Sequence, residues 1–329
     1  MTITPYLYEA YLKCRTKCFL RALGEMSTGN AYADWVRTQN ASYRSKGSQR
    51  LTQGATGDEC VIGSPAVGNV RSAKWRLAID LTTRAYNLES TIHAVERVPA
   101  QGRGDPAQFI PIRFVYTDKL SRDDRLLLGF DALVLSEMLG REVSLGKIIH
   151  GHSHAKVNVR TSALAVEVGK HITEIAELIS SPSRPDLILI PHCTECEFQA
   201  RCRQKALEKD DLSLLSGMTE KERKRLHDKG IFTVTQLSYT FRPRRRPKRL
   251  RDKREKYHHS LRALAIRQKK IHIVGSPEIR IEGTPVYLDV EGLPDRDFYY
   301  LIGVRLETHD SVVQHSLWAD GRGRKKDLE

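Results

Sequence analysis

A mixed α/β architecture is what this 329-residue sequence predicts, and three observations carry the prediction. Three stretches with strand character follow one another: WRLAIDLTTRAY (75–86), STIHAVERV (90–98) and QFIPIRFVY (108–116). A stretch of helix formers with an apolar stripe comes next, RDDRLLLGFDALVLSEMLG (122–140), ending in Gly140. A further strand candidate, VSLGKIIHG (143–151), comes after it. Strands that lead into a helix and then another strand describe a sheet covered by helices, not a bundle.

The elements before and after this block follow by the same reasoning. Residues 1–25 read as a helix, because Tyr6, Leu7, Ala10, Tyr11 and Leu12 recur near helical period and Cys14 falls in the next turn. Residues 26–70 show only scattered aromatics and then GSPAVGN, a turn signal. The Gly/Pro-bearing stretch PAQGRGDP is a loop between the second and third strands, and a second long helix is expected over 161–180. The loop SSPSRPD and the apolar run LILIP then lead into a cysteine cluster.

Beyond Lys205 the texture changes to short helices joined by a Gly-bearing turn, and then to the basic, Pro-interrupted stretch TFRPRRRPKRLRDKREK. Strand character returns in KIHIVG, VYLDVEG, FYYLIGVRLE and VVQHSLW, and DGRGRKKDLE is expected to fray. Three regions result: 1–205, 206–265 and 266–329.

The chain is 40% hydrophobic, has no run of eighteen apolar residues and opens without a signal-peptide pattern, so a soluble, cytoplasmic protein is expected, with no membrane partner. Its net charge is +14. Between Arg242 and Lys256, ten basic residues face two acids. An excess of this kind attracts polyanions through phosphate neutralisation, making DNA or RNA the expected partner. Arg242, Arg244, Arg245, Arg246, Lys248 and Arg249 are the candidate phosphate contacts; such a run can equally be a disordered linker.

Six cysteines occur, at positions 14, 18, 60, 193, 196 and 202. In a reducing compartment clustered cysteines bind metal more often than they form disulfides. Cys193, Cys196 and Cys202 supply three thiols within ten residues, and a fourth ligand has to come from elsewhere. Cys14 is the natural candidate, leaving the four thiolates that a [4Fe-4S] cluster requires. A zinc site completed by His192, or plain buried thiols, is the competing reading. Cys60 reads as a core residue.

One early Cys followed much later by Cys-x2-Cys-x5-Cys resembles the iron-sulphur nucleases of the RecB superfamily, which include AddB subunits and CRISPR-associated RecB-like exonucleases. Cys14-Arg-Thr-Lys17-Cys18-Phe19 is similar to the early motif of that group, with Arg15 where proline is usual, and the alignment favours Cys14 over Cys18. The resemblance implies a mixed-sheet nuclease domain closed by an Fe-S staple. It also implies a catalytic Asp on one strand, an Asp/Glu-x-Lys pair on the next, and a Gln and Tyr on the following helix, the carboxylates holding Mg²⁺.

This sequence departs from that pattern. It offers His93 for the first Asp, Arg113 and Val115 for the pair, and Leu127 and Asp131 on the helix. Asp118-Lys119 and Asp123-Asp124 lie close by, as solvated charges and a helix cap. An Arg in place of a metal carboxylate reverses the local charge, so the fold is expected with its metal centre lost or altered.

Asp289 and Glu291, in Val286-Tyr-Leu-Asp-Val-Glu-Gly292, sit at i and i+2 on a strand and emerge on one face. They resemble the first motif of RNase H-like, DnaQ-type exonucleases, and PDRDFYYLIGV is similar to the next strand of the YprB-like members. That implies Mg²⁺ or Mn²⁺ held by both carboxylates, although a solvent-facing acidic pair fits the same spacing. The chain ends forty residues after Asp289, so a partial RNase H-like sheet with an incomplete site is expected.

The segment between resembles a helix-hairpin-helix module through Gly217, Gly230 and Thr233, and a plain helical spacer fits as well. The order of domains resembles the RecB-like nucleases that carry a C-terminal RNase H-like domain. The implied function is DNA processing by metal-dependent phosphodiester hydrolysis, with a non-catalytic DNA-binding scaffold as the alternative.

Overall fold

The structure, a computed structural model, describes residues 1–53, 59–63, 75–99, 106–241, 258–272, 283–293, 298–308 and 310–319. The basic run, with Arg242, Arg244, Arg245, Arg246, Lys248 and Arg249, lies outside the described residues. So do most of GSPAVGN and of the loop after the second strand, and the last ten positions.

The chain divides into two compact units, residues 1–116 with 120–272, and residues 117–119 with 273–329. The first is built on a six-stranded mixed sheet, with strands β1 (Cys60–Ile62), β2 (Leu77–Ala85), β3 (Leu88–Val98), β4 (Gln108–Val115), β5 (Leu145–His150) and β6 (Ala155–Arg160) in sequential order. β1 lies parallel to β2, and β2, β3 and β4 run antiparallel. β4 and β5 are parallel, and the crossover that parallel neighbours need is supplied by a helix, while β6 returns antiparallel.

Helices cover the sheet. α1 (Pro5–Lys13), α2 (Arg15–Ala22) and α3 (Ala31–Thr52) precede it, α4 (Arg122–Leu139) crosses from β4 to β5, and α5 (Ala165–Ser180) follows β6. α4 starts with a capping box, in which Ser121 and Asp124 satisfy each other's backbone N–H groups, and stops at Gly140 with φ 67°. Asp124 is therefore a capping partner and Ser121 the cap itself. On one side of the sheet Trp75, Leu81, Ile92 and Phe109 pack with Leu135 and Leu139 of α4. On the other, Ile79, Ala94, Ile112 and Phe114 meet Tyr43 and Leu51 of α3. α1 enters the core through Tyr8, which stacks on Phe130 at 4.9 Å and is hydrogen-bonded to His171 Nδ1 at 3.1 Å.

Three stretches fold otherwise than their sequences suggest. The helix expected over 1–25 is two helices, broken where Cys14 adopts extended φ −165° and ψ 125°. The 22-residue α3 carries no apolar stripe and only one fully buried position, Gly47, so no helical period marks it in the sequence. β6 was not expected, because AKVNVR is an exposed edge strand with one buried residue, Val159.

After the cysteine loop come α6 (Gln199–Glu208), α7 (Glu220–His227), α8 (Val234–Ser238) and α9 (His259–Gln268). Leu212, Leu215, Val234, Leu237 and Ala263 form their own small core, and Gly217 and Gly230 turn the chain at φ 79° and 75°. The second unit holds an antiparallel three-stranded sheet of β7 (Val286–Leu293), β8 (Phe298–Glu307) and β9 (Val312–Trp318). Among the described residues, no helix is long and apolar enough to cross a membrane.

Gly47 shows how closely α3 sits on the sheet. A methyl group there would come within 2.5 Å of the Phe114 ring, and that ring is buried. Alanine in a helix interior is ordinarily about 1 kcal/mol better than glycine. Here Gly47→Ala is expected to destabilise instead, by about 1–3 kcal/mol from overpacking, as read by urea denaturation. A stabilised variant would show that α3 does not rest on Phe114.

Candidate functional site

Breaking the first helix at Cys14 has a local consequence. The residue serves as both the C-cap of α1 and the N-cap of α2, so its side chain leaves the helical surface at a corner. Cys14, Cys193, Cys196 and Cys202 line one small pocket together with Lys17, His192 and Phe198. Cys193 stands in the turn Pro191–Glu195, Cys196 follows it, and Cys202 is on α6. Cys18, one turn further along α2, is buried in the main core instead, and burial pushes its thiol up to about 12. Cys60 packs at the edge of the α3-facing cluster.

The electrostatics of the pocket are those of thiols crowded out of water. Burial raises Cys193 and Cys196, and raises Cys202 to about 11, with the neighbouring cysteines adding to the shift. Two sulphurs already accept backbone hydrogen bonds, Cys193 Sγ from Ile190 N–H at 3.3 Å and Cys196 Sγ from Phe198 N–H at 3.5 Å. Bonds of this kind stabilise thiolate over thiol and tune a metal-bound sulphur.

Among the described residues no three His, Cys, Asp or Glu side chains are grouped closely enough to hold a single metal ion. Four sulphurs around one zinc stand only about 3.8 Å apart, given a Zn–S bond of about 2.3 Å in a tetrahedron. His192 Nε2 lies 3.4 Å from the Lys17 ammonium, which can only donate, so that nitrogen's lone pair faces a cation. Burial, with Lys17 second, lowers this imidazole to about 4.

A buried ion-pair tripod holds the two halves of the pocket together. Glu197 lies 3.0 Å from Lys17 Nζ and 2.7 Å from Arg21 Nη2, all three nearly inaccessible to water. Burial alone would raise its carboxyl; Arg21 and Lys17 overcome that and hold it down to about 2. The Glu197 carbonyl accepts from Thr28 N–H at 3.0 Å, and Asn30 Nδ2 donates to the Thr194 carbonyl at 3.0 Å while Asn30 Oδ1 caps α3. Sequence reasoning missed this tripod, although Lys17 and Arg21 at i and i+4 share a helical face.

At the centre of the sheet stand the residues aligned with the nuclease motif. Asp131 of α4 is fully buried and receives Arg113 Nε at 3.0 Å and Nη2 at 2.8 Å, while Ser90 Oγ donates to it at 2.6 Å. Burial raises this carboxyl, opposed by Arg113 and Ser90. Val115 and Leu127 are core residues. His93 Nδ1 accepts the Phe114 N–H at 3.1 Å, and burial, then Arg113 and Arg44, lowers the imidazole well below its ordinary value.

Opposite His93, Asp80 has φ 55°, is left out of the β2–β3 ladder and pairs with Arg44. Asp131 and Asp80 are thus each held by a guanidinium. Asp123, in the loop-to-helix turn, bridges to Lys13 at 2.7 Å.

On β7, Asp289 and Glu291 are exposed, and Tyr300 of β8 donates to Glu291 Oε2 at 2.6 Å. The β7–β8 register shifts just after Glu291.

No family model matches the chain, and no curated protein matches it. Among solved structures it is similar to the crystal structure of SSO0001 at 12% identity and a TM-score of 0.30, covering 62% of this chain and 86% of that one. A likeness this slight transfers neither fold nor function.

The Arg113–Asp131 pair should behave as a buried ion pair. Asp131→Ala leaves an uncompensated guanidinium and is expected to cost about 3–5 kcal/mol. Arg113→Met with Asp131→Leu should recover most of that loss in thermal unfolding. Equal losses in the single and double variants would mean that the pair is not a closed electrostatic unit.

Proposed function

We propose that this chain is a nucleic-acid-binding RecB-like nuclease homologue whose cysteine pocket holds a [4Fe-4S] cluster and whose sheet centre does not cleave. One observation carries the reading: Cys14 and three cysteines about 180 residues later in the chain line the same pocket. Cys14, Cys193, Cys196 and Cys202 would be the ligands, and the bound group would supply a covalent cross-link between the start and end of the domain. The chain's own part is to hold those thiols in place, which Lys17, Arg21 and Glu197 do from behind.

The non-cleaving half of the reading rests on charge. Mg²⁺ needs open carboxylates, and near the motif positions Asp131 and Asp80 are both engaged by arginines. Asp289 and Glu291 are the remaining candidates for Mg²⁺ or Mn²⁺, and two exposed carboxylates, one engaged by Tyr300, bind such ions weakly. The net charge of +14 supports DNA or RNA as partner.

Metal analysis tests the first half. Protein purified without oxygen is expected to carry about four irons with matching sulphide, losing them in Cys14→Ala and keeping them in Cys18→Ala. Zinc in place of iron, or iron retained in Cys14→Ala, would sink the cluster assignment.

A second measurement addresses cleavage. With Mg²⁺ or Mn²⁺ present, single-stranded DNA should be retained by the protein and recovered uncut. Robust cutting that disappears in Asp118→Ala would overturn the placement of Arg113 at the metal position, and cutting lost in Asp289→Asn would move the activity to β7.

A further inference from the structure

α2, the segment 184–187 and α6 enclose a second cavity of about 260 Å³, and Thr16, Leu187 and Cys202 line both it and the cysteine pocket. Its floor is apolar, made by Phe19, Leu20 and Leu187. Its rim carries Arg184, Lys205 and Lys209, none of which has an ion-pair partner among the described residues. Arg201 is engaged by Glu25 at 2.8 Å, and the remaining acid of the lining, Glu208, accepts from Gln204 at 3.1 Å. The cavity therefore combines a surface for a flat apolar ring with a net positive charge beside it.

That combination selects its occupant. The lining sets Arg184, Arg201, Lys205 and Lys209 against Glu25 and Glu208, a net charge of +2 that a single carboxylate leaves half offset and a phosphate with its neighbouring phosphodiester offsets in full. A duplex keeps its bases stacked and presents no free ring, while the end of a single strand does, and a base laid on an aromatic and aliphatic floor is held without regard to sequence.

We propose that this cavity holds the terminal nucleotide of a single nucleic-acid strand, its base against Phe19, Leu20 and Leu187 and its phosphates among Arg184, Lys205 and Lys209. The inference rests on the nucleic-acid reading above and adds a place and a strand feature to it. Because both pockets share Thr16, Leu187 and Cys202, whatever fixes α2 against α6 at the cysteines also fixes the walls of this cavity.

The test uses the full chain, a short oligothymidylate, thymidine 5′-monophosphate and inorganic phosphate, with binding followed by fluorescence anisotropy. The intact protein should bind the oligonucleotide, and the mononucleotide should compete for it far better than phosphate does. Lys205→Ala with Lys209→Ala should weaken oligonucleotide binding tenfold or more and flatten the log–log salt slope by about 1.4, from two lost contacts on a single strand. Leu23→Trp, at an exposed position on the cavity mouth, changes no charge and should abolish competition by the mononucleotide.

Oligonucleotide binding unchanged in both variants would overturn this proposal while leaving the nucleic-acid reading intact, whereas no binding by the intact chain would remove both. Phosphate competing as well as the mononucleotide, or an effect in the lysine variant alone, would reduce the cavity to a charged patch and overturn it. Binding of the mononucleotide without the oligonucleotide would make it a free-nucleotide site, which also overturns the strand-end assignment.

Discussion

The carboxylate of Glu197, shared between Lys17 and Arg21, is the contact on which the arrangement of the N-terminal domain turns. It joins a helix at the beginning of the chain to a loop about 180 residues later, and it does so beside Cys196. Three charges removed from water would be costly singly; together they satisfy one another, and removing any one leaves the others exposed to that cost. A contact of this kind holds one geometry far better than an apolar patch, which tolerates sliding. The cysteine pocket inherits that geometry, because Lys17 lines it and Cys196 precedes Glu197.

A second buried pair does related work at the middle of the sheet. Arg113 on β4 and Asp131 on α4 tie the crossover helix to the strand before it, and Ser90 brings in β3. Asp80 on β2, opposite His93, is likewise engaged by Arg44 of α3, so this acid too ties a helix to a strand.

The second unit is built differently. β7, β8 and β9 pair through antiparallel ladders, with one irregularity after Glu291. Their large apolar residues, such as Leu288, Val290, Ile302 and Trp318, are nevertheless exposed. Besides the backbone ladders, Tyr300 links the three strands, donating to Glu291 on β7 and stacking on Trp318 of β9, and Asp289 and Glu291 are exposed. The N-terminal pockets, by contrast, are walled by helices whose other faces are committed to cores.

Much of the sheet domain was readable in the residues. The strands around Ile79, Ala94 and Ile112 and the helix closed by Ser121 and Gly140 follow from period and capping, both local properties. The spacing of Cys193, Cys196 and Cys202 is likewise local, and it marked them as a set. α3 was invisible because it touches the sheet through Tyr43, Gly47 and Leu51 and little else, leaving no stripe to detect.

The break at Cys14, the choice of Glu197 as partner for Lys17 and Arg21, and the capture of Asp131 by Arg113 were decided only in three dimensions. Sequence determines which groups want burial, charge or a turn; which distant group answers each of them depends on how helices pack. That is why the four cysteines could be named from the chain alone, while the pocket they share required the fold.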